Sequence, residues 1–396
     1  MRYLFVDTTT DGNVIGGGHL FLPVLIEELA KRGHEVHLVI KAESNEKLHS
    51  LLIHSGAIIH IRPWKKYAPV TDLVPYFVEW IKKLKPDFYI NSTSAAIGWL
   101  VIPYLKEAGI PCFCIGHNNE DTYYNPVRHY KKYLTGAIGV SKEICAAFAG
   151  TCGMQAEKIA FIPYGVKAAK SIEIFKQKDP VRLIYVGRIE QNQKRIKDLV
   201  SIAQLLTQNE VSYTLDIIGD GPMMNYVTRN LENEISRKIV RVYGWLDKME
   251  VEERLRKSEV FIMTSEFEGF SIALIEAMAN GCCPIVTNIK AGNQEVIKNE
   301  ENGYLIDIGQ TKTFASVIQE LSKKREKLNK NREMAYLTGK EYTVARMADK
   351  YVSCFEDFSK NQNEKDINIS DYQVMQSCLS KYPIWLRRIK ARLTKS

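Results

Sequence analysis

Short apolar runs alternate with longer stretches of helical period along most of the 396-residue chain. In the first half, YLFVD (3–7), EVHLVI (35–40), AIIHI (57–61), DFYIN (87–91), CFCIG (112–116) and AIGV (137–140) predict strands. Helical stretches separate most of them. The one near 18–32 closes on Lys31, Arg32 and Gly33, cations in a last turn with glycine just past it. Strands that are apolar throughout are covered on both faces, and strand–helix alternation makes them parallel.

The pattern then restarts. VRLIYVG (181–187), YTLDIIG (213–219), IVRVYG (239–244), VFIMTS (260–265) and CPIVT (283–287) predict a second set of strands, with helices near 195–208, 222–232, 248–257 and 271–280. Between the sets lies VKAAKSIEIFKQKDP (166–180), polar and lysine-rich, which reads as the domain boundary. After Tyr304 and Asp307 come long helical patterns at 311–328 and 341–358, then a polar linker at 361–371. The expected fold class is α/β with two Rossmann-like domains and no residue-level repeat. Residues 1–168 form the first, 169–340 the second, 341–360 a closing helix, and 361–396 a linker and tail.

Composition removes several function classes. No apolar run reaches the ~18 residues of a membrane span. MRYLFVDTTT reads as a strand and not as a signal peptide, because no long apolar core with a cleavage site follows. The eight cysteines form no CxxC pair, so buried free thiols in a reducing cytosol are expected and a zinc site is not. Net charge is +8, but six of the cations and no acid fall in 372–396, leaving +2 for residues 1–371. A nearly neutral body gives no footprint for nucleic acid.

The chemistry gathers where strands end. SEFEGFSIALIEAMANGCCPIV (265–286) follows an apolar strand and opens a helix, with Glu268 and Glu276 eight positions apart. Open parallel sheets bind ligands beyond the carboxyl ends of their strands. The first-turn N–H groups of such a helix attract anions, and Gly269 admits close approach, so Phe270, Ser271 and Ile272 can offer amides to a phosphate. Ile272, Ile275 and Ala279 make the expected core stripe. Ala273, Glu276, Ala277 and Asn280 make a face of small residues around one acid, suited to a ribose diol. Glu268 is placed for a second polyol. The plain alternative is a solvated surface helix.

VGRIEQNQKRIKDL (186–199) also follows a strand, and Arg188 and Lys194 suit a diphosphate whose charge grows as it leaves. IIGDGP (217–222) reads as a structural turn, with Asp220 outside the chemistry. NVIGGGH (13–19) brings Gly16 and Gly17 to the first strand–helix joint, where backbone can approach an anion or sugar. The dinucleotide pattern is not met: Phe21 stands where the third glycine belongs, and Lys41 follows the next strand. In CIGHNNEDTYY (114–124), His117 falls just past a strand, and structural and catalytic roles stay open.

Together these stretches resemble family 4 of the retaining GT-B glycosyltransferases. The family's E-x7-E motif is matched by Glu268 and Glu276, and its continuation by EAMANGCCPIV at 276–286. Arg188 and Lys194 match its basic pair, though Arg195 follows the lysine where glycine is more usual. VSKEI (140–144) and KIAFIPYGV (158–166) add support, with Tyr164 in place of a common asparagine. The resemblance implies two domains facing a central cleft, and a final helix crossing back to the first. It implies that Glu276 binds the ribose of a nucleotide sugar and Glu268 the donor sugar. Gly269, Phe270, Ser271 and Ile272 then serve sugar and phosphate, and Gly16 and Gly17 approach the phosphates. Arg188 and Lys194 neutralise the departing diphosphate, and His117 lies near sugar and acceptor. Transfer with retained configuration and no essential metal or cofactor follows. A sugar-nucleotide 2-epimerase and a non-catalytic partner subunit are the rival readings.

YPIWLRRIKARLTKS (382–396) is a basic amphipathic pattern. At about 100° per residue, Trp385, Leu386, Ile389 and Leu393 share one arc, outside which lie Arg387, Arg388, Lys390, Arg392 and Lys395. Such a helix lies on an anionic lipid surface or packs on the first domain with its basic side in water. The first case implies a lipid-linked acceptor and a cytoplasmic protein held at the inner face of the membrane.

Overall fold

The apolar runs form two parallel sheets in a computed structural model that describes residues 1–7, 17–40, 54–61, 70–92, 96–173, 175, 179–290 and 292–360. The first unit contains β1 (Arg2–Asp7), α1 (Gly17–Lys31), β2 (Glu35–Ile40), β3 (Ile58–Ile61), α2 (Val70–Leu84), β4 (Phe88–Asn91), α3 (Ala96–Leu100), α4 (Ile102–Glu107), β5 (Cys112–Gly116), α5 (Asp121–Tyr130), β6 (Gly136–Gly139), α6 (Lys142–Ala149) and β7 (Ile159–Phe161). Its strands lie in the order β3-β2-β1-β4-β5-β6-β7, every pair parallel.

The second unit runs through β8 (Val181–Val186), α7 (Ile196–Gln208), β9 (Tyr213–Ile218), α8 (Met224–Asn230), α9 (Glu232–Ser236), β10 (Val240–Gly244), α10 (Lys248–Arg256), β11 (Val260–Met263), α11 (Ile272–Ala279), β12 (Cys283–Thr287), α12 (Asn293–Val296), β13 (Tyr304–Ile306), α13 (Thr311–Lys323) and α14 (Arg325–Gly339). The order is β10-β9-β8-β11-β12-β13, again parallel throughout. Leu183, Ile217, Ile262 and Ile285 from the strands meet Leu199, Ile318 and Leu328 from the helices in one core.

Two helical predictions divide. The 222–232 stretch breaks at Leu231 into α8 and α9. The 311–328 stretch breaks at Lys324, whose φ of −105° and ψ of 66° leave the helical region. Helix α14 then runs on to Gly339, where a side chain would not fit: a Cβ there would lie 2.4 Å from the Ala279 nitrogen. That close approach sets α14 against α11, which carries half of the spaced-acid motif.

The unit boundary falls between Pro163 and Tyr164, five residues before the one read from the sequence. The described residues of the segment read as the boundary are built into the second unit. Ala169 N donates to Ala279 O at 3.0 Å, Tyr336 Oη donates to Ala169 O at 2.8 Å, and Arg332 donates to Glu173 O at 2.8 Å. Arg332 also lies over the Phe175 ring, 4.8 Å from its centre. Backbone carbonyls and one aromatic anchor the segment, so its polar composition misleads.

The closing helix, α15 (Val344–Lys360), belongs to the first unit. Its Phe355 packs against Tyr3, Phe88 and Phe113 at ring distances of 5.7, 5.6 and 4.8 Å. Burying one such ring contributes about 1.5–3 kcal/mol. Arg32 fixes the start of the helix through Asp349 at 2.5 Å and Ala345 O at 2.9 Å. Six described cysteines are buried free thiols, and Cys145 is half-buried. No described helix is long and apolar enough to cross a membrane. The basic tail at 382–396 lies outside the described residues.

Candidate functional site

In the second unit the strand order reverses at β8, which has β9 on one side and β11 on the other. Loops leaving the carboxyl ends of such strands diverge, and the crevice between them is where open sheets take ligands. The loop after β8 holds Arg188 and Lys194, and the loop after β11 holds Glu268.

These loops meet. Lys194 Nζ donates to Glu268 Oε1 at 2.5 Å, and Ser265 Oγ donates to the same oxygen at 2.7 Å. Gln193 Nε2 reaches Glu268 Oε2 at 3.4 Å. The ion pair is largely enclosed, with 18% of the Lys194 side chain and 8% of the Glu268 side chain exposed. Enclosure strengthens the attraction several-fold over its value in water. An ammonium has three donors, so one bond to Glu268 leaves two for an anion. Oε2 holds only the long contact and keeps acceptor capacity for hydroxyls.

Beside the pair runs a row of backbone N–H groups. Ser271 caps α11 by accepting from Leu274 N at 3.3 Å. The amides of Gly269, Phe270, Ser271, Ile272 and Ala273 have no hydrogen-bond acceptor among the described residues. Their carrier is firmly held. Phe270 packs against Tyr164 and Tyr342 at 6.1 and 5.7 Å, and Gly292 backs onto it so closely that a Cβ would lie 3.2 Å from Phe270 Cα. Unpaired N–H groups at and just before a helix start attract anions, and an enclosed lysine lies in the neighbouring loop.

Arg188 is exposed, and its guanidinium has no partner among the described residues. Its backbone is fixed. Tyr185 Oη donates to Arg188 O at 2.8 Å, and Ile189 N donates to Asp220 O at 2.9 Å. The second bond brings in the Gly-Asp-Gly-Pro turn, where Asp220 accepts from Gly221 N at 2.7 Å. That turn shapes the arginine loop.

In the first unit, His117 follows β5 and is buried. Ser92 Oγ lies 3.1 Å from its Nε2, and Phe21 and Tyr123 pack on the ring at 5.4 and 6.3 Å. Gly17 is the first residue of α1, and Gly16 lies outside the described residues.

Both units match models of known protein families. Residues 166–338 match the family Glycosyl transferases group 1, and residues 15–170 match Glycosyltransferase Family 4. The chain belongs to the family 4 glycosyltransferases. An Escherichia coli relative, UDP-Gal:alpha-D-GlcNAc-diphosphoundecaprenol alpha-1,3-galactosyltransferase, is 26% identical over 312 residues, 71% of this chain and 78% of the relative. A lipopolysaccharide 1,6-galactosyltransferase of Salmonella typhimurium is 26% identical over 253 residues, 60% of this chain and 66% of the relative. Among solved structures, the apo lipopolysaccharide outer core galactosyltransferase WaaB superposes with a TM-score of 0.71 at 20% identity, covering 90% of this chain and 99% of that one. HepE of Anabaena, solved in complex with UDP and glucose, gives 0.72 at 16% identity, covering 90% of this chain and 100% of that one. These likenesses establish the GT-B fold.

Two departures of this glycosyltransferase from the family pattern have physical explanations. Arg195 takes φ 49° and ψ 49°, a left-handed conformation that glycine enters freely and other residues at a cost of about 1–2 kcal/mol. Ion pairs with Asp198 at 2.7 Å and Glu266 at 2.6 Å offset that cost. Tyr164, in place of the common asparagine, supplies the ring that supports Phe270.

Helix α11 departs from the expected stripe. Leu274, Ile275 and Met278 are buried, while Ile272 is only half-buried and shares the outer face with Ala273 and Glu276. The crowded surroundings push the Glu276 carboxyl up to about 7, Lys248 draws it down, and Glu252 pushes it up. In the unfolded chain the group titrates near ~4.3. The folded state therefore binds more protons between these values, and the group's contribution to stability falls as pH rises through that window. Glu276→Gln, uncharged at every pH, should gain thermal midpoint over the wild type between pH ~4.5 and ~7.5. A midpoint difference that is the same at pH ~4.5 and ~8 would rule out this linkage.

Sequence pattern does not single out Glu190, Gln193, Ser265 or Gly292. Only Glu190 leaves a signal, an acid two residues beyond Arg188 in a loop otherwise rich in amides.

Proposed function

We propose that this glycosyltransferase moves a hexose from a nucleoside diphosphate sugar to a lipid-linked saccharide, with retained anomeric configuration and without an essential metal. The observation that carries the reading is the Lys194–Glu268 pair at the strand-order reversal, beside the free amides of 269–273. Diphosphate, sugar hydroxyls and ribose each then have a partner: Arg188, Lys194 and the amides for the first, Glu268 Oε2 for the second, Glu276 for the third. His117 serves the acceptor side.

In the transfer, the bond from the anomeric carbon to phosphate oxygen breaks and a bond to the acceptor oxygen forms on the same face. The acceptor's hydroxyl proton passes to the departing phosphate oxygen. Arg188 and Lys194 meet the charge that grows there, which is the work a metal would otherwise do. We further propose that residues 382–396 hold a cytoplasmic enzyme against anionic lipid.

The test uses UDP-galactose with GlcNAc-diphosphoundecaprenol, the reactants in the name of the Escherichia coli relative. UDP should be released only when acceptor is present, the product should be the α anomer, and EDTA should leave the rate unchanged. A β-linked product would remove the retaining mechanism. An isomerised donor sugar would favour the epimerase reading, and no turnover with any donor a non-catalytic subunit.

A further inference from the structure

Lys194 needs more than a side chain to reach Glu268; its backbone must be held. One buried acid does this. Glu190 Oε2 accepts from Asn192 N at 2.8 Å, and Oε1 accepts from Gln193 N and Lys194 N, both at 2.9 Å. Three successive N–H groups converge on one carboxylate, an arrangement that elsewhere cradles phosphate. Here the anion is the chain's own side chain, and Glu190 has no cationic partner among the described residues.

Two consequences follow. These three amides are committed to Glu190 and are not open to a diphosphate. The Lys194 backbone is also gripped from both sides, since Thr264 Oγ1 donates to Lys194 O at 2.8 Å. Thr264 comes directly after β11, the strand that leads to Glu268. The grip extends to the preceding residue, where Glu266 N donates to Gln193 O at 2.7 Å.

We infer that Glu190 is the positioning residue for Lys194: its carboxylate, cradled by the amides of residues 192–194, fixes the loop so that the ammonium meets Glu268 and the donor's diphosphate. The inference rests on the diphosphate role proposed above for Lys194.

The test compares affinities for UDP and for uridine by titration calorimetry on the full chain, for wild type, Glu190→Ala, Lys194→Ala and the double variant, with thermal midpoints for each. Lys194→Ala should weaken UDP about tenfold or more while uridine stays within about twofold, since one charge-assisted contact is lost. Glu190→Ala should show the same selective loss, and the double variant should be no weaker than Lys194→Ala alone. Glu190→Gln keeps one acceptor oxygen and should fall between; it replaces Glu190→Ala if that variant does not fold. Equal weakening of UDP and uridine by Glu190→Ala would mean general damage and overturn the inference, as would additive losses in the double variant. Selective loss in Lys194→Ala without any in Glu190→Ala overturns the Glu190 role alone. An unchanged UDP affinity in Lys194→Ala, or no UDP binding by the wild type, removes the diphosphate reading and this inference with it.

Discussion

Lys194→Ala is expected to lower donor turnover about 10²–10³-fold, the usual consequence of removing one preorganised donor from a site of developing charge. The diphosphate gains charge as its bond to the sugar breaks, so the lysine is worth more in the transition state than in the ground state. The loss should therefore fall mainly on kcat and less on KM. A second effect accompanies it. Glu268 is buried and would keep Ser265 and the long Gln193 contact but lose its cation at 2.5 Å. An orphaned buried carboxylate destabilises; with part of the lysine in solvent, about 1–3 kcal/mol is the expected scale. The two effects separate in Lys194→Ala combined with Glu268→Gln. Removing the stranded charge should restore the thermal midpoint and leave turnover low. If Lys194→Ala alone keeps more than about a third of wild-type turnover, electrostatic stabilisation by this residue must be abandoned.

Much of the fold was legible because parallel strands covered on both faces read as unbroken apolar runs, as in VFIMTS and CPIVT. The crevice was legible for a related reason: polar residues with glycine directly after such a run, as in SEFEGF, have few purely structural uses. The losses have a common source in contacts made by backbone. Segment 166–180 read as the domain boundary because its anchors are the carbonyls of Ala169 and Glu173, which no pattern of side chains reveals. The break at Lys324 lies within a continuous helical pattern, and backbone conformation alone marks it. Glu190 was passed over in sequence because its partners are three main-chain amides. On α11 the apolar period did not say which edge of the stripe faced outward, and Ile272 lies on the outer side.

The Gly-Asp-Gly-Pro turn supports the second large prediction, which concerns stability as well as chemistry. Gly219 has φ +137°, and a Cβ placed on it would lie 1.8 Å from the Gly187 carbonyl oxygen. Gly187 ends the β8 run and immediately precedes Arg188, so that oxygen cannot move alone. Gly187 N donates to Ile218 O at 3.0 Å, and Met223 N donates to Ile189 O at 3.0 Å, tying the arginine loop to the turn on both sides. Gly219→Ala must therefore combine backbone strain of about 1–3 kcal/mol with an overpacking cost of similar size, roughly 4 kcal/mol together. Turnover should fall too, because relieving the clash displaces the loop that presents Arg188. Gly244→Ala is the control for strain alone: φ is +70°, and nothing lies within 4 Å of the added Cβ. It should cost only about 1–2 kcal/mol. Equal losses in the two variants, read from urea midpoints, would show that left-handed strain governs both and that the contact with Gly187 does not hold the arginine loop in place.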